Sequence, residues 1–387
     1  MSAVAELERA VTGLPSGWHE VVLSDVAEVN PDTLRASTAP DFAFGYIDIS
    51  QIDGPGQCAG WTEQTFGEAP SRARRRVQAG DILVSTVRPY LRSFAQVPSA
   101  PLPLVASTGF AVIRATGEAD QQFLYQHVLH ASFIDHLTPR MTGSNYPAVS
   151  ASDVEAYPIS LPPLDEQRRI AEVLRSVDEA IAASAAVVAS ARALLSNVGR
   201  EVLRSADEEP AEGEQRFALL DICRPKQHPI IGKAELTESG YPVYGANGQI
   251  GYCHSYTHAQ PVIAITCRGA TCGTVNWVPA KSYVTGNAMA LDQLDRKRLD
   301  ERFLFHYVST WGVDRSISGS AQPQITRQSL SCVDIIAPDL ERQREIADAL
   351  DAIEDQVRAA SSAFEATRSV KTALMSDLLS GRVRVPV

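Results

Sequence analysis

The sequence predicts an α+β fold: two similar mixed α/β modules, each followed by a long helix, with the two helices pairing as a coiled coil and the halves related by a pseudo-twofold axis. Three observations lead there. Residues 161–174, LPPLDEQRRIAEVL, return 176 positions later as APDLERQREIADAL at 337–350. Pro162, Leu164, Gln167, Arg168, Ile170, Ala171 and Leu174 recur as Pro338, Leu340, Gln343, Arg344, Ile346, Ala347 and Leu350. That period is too long for a solenoid unit and marks a duplicated module. Second, each copy runs into an apolar stripe at spacings of 3 and 4. Third, short β-rich runs and turns precede each copy without a regular βαβ rhythm.

Taken in order, the chain opens with a short helix expected at 3–11, then a Pro/Gly turn at Leu14–Trp18. A strand at His19–Leu23 leads into a helical turn for which Ser24 is the expected cap. Strands are expected at 42–52, 80–88 and 107–115, and between the first two stand Arg72, Arg74, Arg75 and Arg76. These arginines read either as a solvated turn paired with the module's acids or as an anion-binding run. A helix follows at 120–137, a Gly/Ser/Pro loop at 142–147, a short helix capped near Ser150, and a strand at 157–161.

The first long helix is expected from Leu164 to Arg204. Asp165 and Glu166 sit in its first turn, where the macrodipole favours negative charge. Its stripe is Ile170, Leu174, Val177, Ile181, Ser184, Val188, Ala191, Leu195, Val198 and Val202, a heptad seam. An acidic, Pro/Gly-broken linker at 206–214 closes the first half. The second half then echoes the first: Thr266 and Arg268 match Thr86 and Arg88, FLFHYV at 303–308 matches FLYQHV at 123–128, and Gly319-Ser320 matches Gly143-Ser144. A second helix runs from Leu340 to Leu379 with seam Ile346, Leu350, Ile353, Val357, Ala360, Phe364 and Thr367, becoming less clean through Val370, Leu374 and Leu378. The domains are therefore 1–163, a helical region 164–205, a second module 206–337 opening with its linker, and a helical region 338–387. The helices pair in either direction topologically; an antiparallel pair would relate the modules by the pseudo-twofold axis.

Composition narrows the function. The chain is 44% hydrophobic and 21% charged, as ordinary globular proteins are. Its six scattered cysteines suit reduced thiols and a cytoplasmic setting rather than a disulfide scaffold. The N-terminus lacks a basic region followed by an apolar one and does not read as a signal peptide. Ala180–Val198, with Arg192 as its one charge, superficially resembles a membrane span, but its apolar residues keep to a helical stripe, so no membrane role is expected. A net charge of −11 argues against coating nucleic acid by bulk electrostatics. Residues 14–163 carry −6 and residues 214–337 carry +2, so any anion-binding surface is local.

Catalytic text is missing. There is no phosphate-binding loop, no HExxH, no GxSxG and no Asn-Pro-Pro-aromatic tetrapeptide. The glycine-rich run 245–251 reads as a turn between strands rather than a dinucleotide fingerprint. Cys253, His258, Cys267 and Cys272 have spacings that do not match a zinc knuckle or ribbon, so no metal is expected.

The doubled strand–PPLxEQxxIAxxL–helix pattern resembles the specificity subunit of type I restriction–modification systems, as do YPVYGANGQIGY (241–252), ITCRGATCGTVNWV (265–278) and YVTGNAMAL (283–291). The second copy departs from it at Asp339 and Arg342, where the first has Pro163 and Glu166. The resemblance implies two target-recognition domains, each reading half of a bipartite, asymmetric site in double-stranded DNA. It implies helices that set the gap and dock two methyltransferase subunits, which carry S-adenosylmethionine and to which restriction subunits attach. This chain then binds no cofactor and is a non-catalytic subunit. Two other functions stay open: a DNA-reading subunit of another methyltransferase-based defence complex, and a coiled-coil scaffold that binds proteins.

Base edges are read by Arg on guanine or Asn/Gln on adenine, while other polar groups hold phosphate. On residue type and loop placement, the first module's candidates are Arg74, Arg75 and Arg76 for phosphate, with Arg88, Tyr90, Arg92, Asn145 and Tyr146. The second module's are Asn247, Arg268, Lys281, Asn287, Gln322 and Gln324; Arg268 reads alternatively as half of a buried ion pair. Partner docking is expected at Pro162, Leu164, Gln167 and Arg168, and at Pro338, Leu340, Gln343 and Arg344.

Overall fold

The computed structural model describes residues 13–52, 54–56, 58–246, 248–319 and 322–385; the helix expected at 3–11, Asn247 and Ser320 lie outside them. The chain divides into two compact units, Met1–Ala183 with Glu365–Val387, and Ser184–Phe364.

In the first unit the module's two ends are tied together, His19–Val22 running antiparallel to Pro158–Leu161. Between them lie two four-stranded sheets. One has the order Ala27–Val29, Phe110–Ala115, Ile82–Ser85, Phe94–Gln96. The other has Thr62–Thr65, Ala43–Ile47, Leu104–Ser107, Ala73–Val77. Ile82–Ser85 and Leu104–Ser107 are buried throughout, which is why they read as unbroken apolar runs rather than alternating ones. The helix expected at 120–137 is two, Gln121–Leu129 and Ala131–Leu137: His130 adopts extended backbone and its Nδ1 accepts the Ser132 N–H at 3.4 Å, ending one helix and capping the next. Ser24 is not the cap of Leu23–Val26; the Asp25 carboxylate accepts the Val22 N–H at 3.0 Å instead.

The second unit repeats the plan. Gln215–Ala218 pairs antiparallel with Asp334–Ala337. A four-stranded sheet orders Arg224–Gln227, Ala288–Asp292, Val262–Thr266, Val275–Val278, and a three-stranded one Gly248–Cys253, Tyr241–Gly245, Tyr283–Val284. The glycine-rich run is a hairpin, with Gly245 paired to Gly248. Among the described residues, Ala73–Val77 is the strand without a counterpart here.

The repeated signature starts the helices Leu164–Val202 and Leu340–Leu379. Gln167 and Gln343 are each 1% exposed. Gln167 Nε2 donates to the carbonyls of Pro162 (2.9 Å) and Glu118 (3.2 Å), and its Oε1 accepts the Asp120 N–H at 2.8 Å. Gln343 repeats this with Pro338 (2.8 Å), Arg298 (3.1 Å) and the Asp300 N–H (2.7 Å). Asp120 and Asp300 in turn cap the helices Gln121–Leu129 and Glu301–Trp311. Both glutamines, expected at a docking surface, are instead buried and engaged internally.

From Ile170 to Val198 every seam residue is buried or half-buried while most residues between are exposed. Val202 departs from the expected seam: it is 39% exposed, and Leu203 takes the buried place. In the C-terminal helix the seam stays in phase through Lys371, Leu374 and Leu378, and Val370 is 59% exposed. Lys371 pairs with Asp178, so a charge stands at a seam position because its partner is there. Within the first unit, Glu166 meets Arg384 and Asp178 meets Lys371, so partner numbers fall as helix numbers rise and these two helical segments run antiparallel. In the second unit Gly199 is required by close approach, since a Cβ there would stand 2.7 Å from Thr310 Oγ1. By length and composition alone Leu164–Val202 is apolar enough to cross a membrane, with a mean hydropathy of 1.5 over its best eighteen residues. The six cysteines form no disulfide.

Two outcomes are expected. Replacing Gln167 or Gln343 by Ala leaves a buried N–H and two carbonyls short of partners, lowering the stability of its unit by about 2–4 kcal/mol on denaturant titration. His127 is buried against Phe123, and burial, with His130 adding a smaller push, lowers its pKa to about 3. Its stabilising effect is therefore present above the unfolded pKa and is lost as pH falls through it. Moving from pH ~7.5 to ~5.5 costs roughly 1 kcal/mol through this group, and His127→Phe should flatten the pH dependence by about that amount.

Candidate nucleic-acid interface

In the first module the strand Ile82–Ser85 runs out into Arg88, whose φ of 48° is left-handed. For a residue with a Cβ this costs about 1–2 kcal/mol, and it is held by the Arg88 N–H on the Pro147 carbonyl at 2.7 Å. The loop 142–148 is laced alongside, with Val149 N–H on the Thr86 carbonyl at 2.9 Å. Arg88 Nη2 donates to the Asn145 carbonyl at 2.9 Å, and its guanidinium lies 4.7 Å from the Tyr146 ring centroid. Arg88, Asn145 and Tyr146 thus converge, with Tyr146 71% exposed and Tyr90 46% exposed two residues beyond Arg88. Arg92 does not join them; it turns inward to the Leu129 carbonyl at the end of a helix.

The arginine run is not a turn. Arg74, Arg75 and Arg76 lie in the strand Ala73–Val77, antiparallel to Leu104–Ser107 with a bulge between Ala73 and Arg75. Arg74 stacks over Phe66 at 4.7 Å, Arg75 is half-buried, and Arg76 pairs with Asp32 at 3.3 Å. The strand begins beside the Arg88 end, because the Arg72 carbonyl accepts the Thr108 N–H while the neighbouring Gly109 carbonyl accepts that of Thr86.

In the second module Arg268 follows Val262–Thr266 as Arg88 follows Ile82–Ser85. It is exposed, not half of a buried ion pair. It bridges to Gln324, which also pairs with Ser318, and the Gly269 N–H reaches the Pro323 carbonyl at 3.3 Å. Arg268, Gln322 and Gln324 therefore share one exposed strand end. Asn287 belongs to the same end through its carbonyl, which accepts the Cys267 N–H at 3.0 Å, but its side chain is half-buried. Lys281 is elsewhere: it follows Val278, which pairs with Val262 at the opposite end of the ladder. Asn247 lies outside the described residues. Two residues not anticipated stand exposed beside these clusters: Leu91, after Tyr90, and Arg327, three beyond Gln324. Leu91 carries no polar signal to betray it; Arg327 sat in a run read only for its amides.

Of the expected docking residues, Arg168 and Arg344 are exposed, Pro162 is buried, and Leu164, Pro338 and Leu340 are half-buried. Glu166 is 1% exposed, with Arg384 Nη2 at 2.7 Å and Trp18 Nε1 at 3.1 Å on one oxygen. Arg342, its counterpart, is exposed and pairs with Glu345 at 2.7 Å.

Each half thus combines a tied base, a following helix and an arginine at one strand end. A family model described as the type I restriction modification DNA specificity domain matches residues 15–187 and 212–361. The chain belongs to that family. It is 25% identical to the type I restriction enzyme EcoprrI specificity subunit of Escherichia coli, over 91% of this chain and 90% of that one. A solved structure described under complex assembly and conformational transition of the type I R-M system is 27% identical, with a TM-score of 0.61 over 96% of this chain and 99% of its own. The type I restriction–modification S subunit of M. genitalium is 14% identical, with a TM-score of 0.62 over 94% and 96%, a likeness of fold.

Arg88→Lys keeps the charge but removes the planar stack on Tyr146 and the fork that reaches Asn145. Amide exchange in 142–146 is expected to accelerate about two- to five-fold, since a lost contact of about 0.5–1 kcal/mol has that effect.

Proposed function

We propose that this chain reads a bipartite, asymmetric site in double-stranded DNA, one half per globular module, as the non-catalytic specificity subunit of a cytoplasmic type I restriction–modification complex. The observation that carries the reading is the recurrence, at equivalent strand ends, of an arginine laced to an exposed polar loop: half-buried Arg88 with Asn145 and Tyr146, and exposed Arg268 with Gln322 and Gln324. Arginine on guanine and glutamine on adenine suit major-groove edges. Arg74, Arg75 and Arg76 are assigned to phosphate in the first module, so its backbone contacts differ from the second's. Helices of 39 and 40 residues rise about 60 Å at 1.5 Å per residue, close to two turns of duplex; pairing as a coiled coil, they set the gap between the half-sites. Two methyltransferase subunits carrying S-adenosylmethionine dock on the helical regions, with Arg168 and Arg344 as exposed contacts, and restriction subunits attach to them.

The test is to express the chain with its methyltransferase partner and map methylated adenines. One bipartite motif is expected. Arg88→Ala should relax one half-site and Arg268→Ala the other, each by about 1–3 kcal/mol of discrimination. A scaffold that binds only proteins would leave the methylation pattern untouched by either change.

A further inference from the structure

The second module gathers three side chains far apart in sequence: His228 after the strand Arg224–Gln227, His258, and Asp292 at the end of Ala288–Asp292. His228 Nε2 stands 3.1 Å from one carboxylate oxygen of Asp292, and His258 Nε2 stands 2.8 Å from the other. The three donor atoms lie within 4.8 Å of one another, and the two rings are steeply inclined at 79°. The side chains are 12%, 12% and 18% exposed, so they are shielded but not sealed. His258 and Asp292 line a cleft of about 300 Å³ that leaves room for a further ligand.

Ordinary buried carboxylates find an arginine or lysine. Among the described residues Asp292 pairs only with the two imidazoles. Its sheet neighbour Arg224 turns away, giving Nη1 to the Leu220 carbonyl. The contrast lies within the same unit: His306, Asp351 and Glu354 also cluster, but Arg302 already sits 2.9 Å from Asp351 and 2.6 Å from Asp348. That cluster has its cation.

We propose that His228, His258 and Asp292 bind one divalent transition-metal ion of the zinc class. Two imidazole nitrogens and one carboxylate form a donor set suited to Zn²⁺, with a fourth position for water. Bonds of about 2.0–2.2 Å at tetrahedral angles place donor atoms roughly 3.3–3.6 Å apart, so the hydrogen-bonded atoms would move apart by a few tenths of an ångström as the ion replaces the shared protons, from donors already within 4.8 Å of one another. A support for the ligand is in place as well. His258 Nδ1 lies 2.8 Å from Thr257 Oγ1, which accepts the Val284 N–H at 2.9 Å and stands 3.3 Å from the Ser282 carbonyl. The Nδ1–H tautomer then donates to Thr257, Thr257 donates to Ser282, and Nε2 keeps its lone pair for the metal. Lys281, left-handed at φ 57°, adjoins this support rather than the strand end that carries Arg268. The ion would pin the segments around 228, 258 and 292, a structural role independent of DNA reading.

The full chain, stripped with chelator, is titrated with Zn²⁺ and then with Co²⁺ as a spectroscopic probe. One equivalent is expected to bind, with visible Co²⁺ bands and a melting midpoint raised by several degrees. His258→Ala and Asp292→Asn should each weaken binding ten-fold or more and remove the bands. To guard against a variant that does not fold, carbethoxylation of the unaltered chain is mapped by mass spectrometry with and without Zn²⁺. The metal should protect His228 and His258 but not His254. Binding that persists unchanged in both variants, or equal labelling with and without metal, would overturn the assignment.

Discussion

A neutral amide holds each module to its helix. Gln167 and Gln343 must donate to carbonyls on one side and accept a backbone N–H on the other, from one buried position. A carboxylate lacks the donors and an ammonium lacks the acceptor, so no charged residue of similar size fills the place. The N–H each glutamine accepts belongs to the aspartate that caps the module's own helix, Asp120 or Asp300. The amide therefore sets two helix starts together, and both apolar seams inherit their phase from it. That constraint accounts for an identical glutamine in both copies while the residue before it changes from Glu to Arg.

The changed neighbour follows from what surrounds each copy. Glu166 is covered by Arg384 and Trp18, both of the first unit, and a buried carboxylate there is compensated by a guanidinium and an indole N–H. Arg342 has no such cover and takes an exposed helical pair with Glu345. Asp339 replaces Pro163 by a different route to the same end: its carboxylate accepts the Arg342 N–H at 2.9 Å, satisfying one of the open donors of a helix start. The asymmetry that the sequence suggested at a docking surface is, at Glu166, an internal fit.

What could be read from the sequence was whatever repeats or alternates. The signature, the long helices and the strands at 82–85, 110–115 and 158–161 were all legible, because period and punctuation are local properties. The broken helix at His130 was not, since apolar spacing continues across the break and only the backbone at one residue differs. The arginine strand was hidden because three successive cations look like solvent; a bulge and the ring of Phe66 let them lie in a sheet. Among the candidate contacts, the repeat placed Arg88 and Arg268 at equivalent strand ends, which the two modules share. The inward turn of Arg92 was hidden because it depends on Leu129, far along the chain. His228, His258 and Asp292 could not be joined from sequence, since nothing local links positions so widely separated.

The acidic first module is no obstacle to binding an anion, and the reason is where its acids are used. Asp25, Asp48, Asp120 and Asp153 accept backbone N–H groups at helix starts, at 3.0, 2.8, 3.0 and 2.7 Å. Asp81 is held in a fork by Arg114 at 2.8 and 2.6 Å, and Asp32 faces Arg76 at 3.3 Å. Six of the fifteen acids between 14 and 163 are thus committed to internal partners. At physiological salt, charges more than about 8 Å apart are largely screened. A phosphate near Arg88 would respond most to the groups beside it, Arg88 and Tyr146 among them, rather than to the module's sum. Capping acids add negative charge without a matching cation and so lower a module's net charge, while the sign of its binding surface is set by which side chains are left over at the strand end.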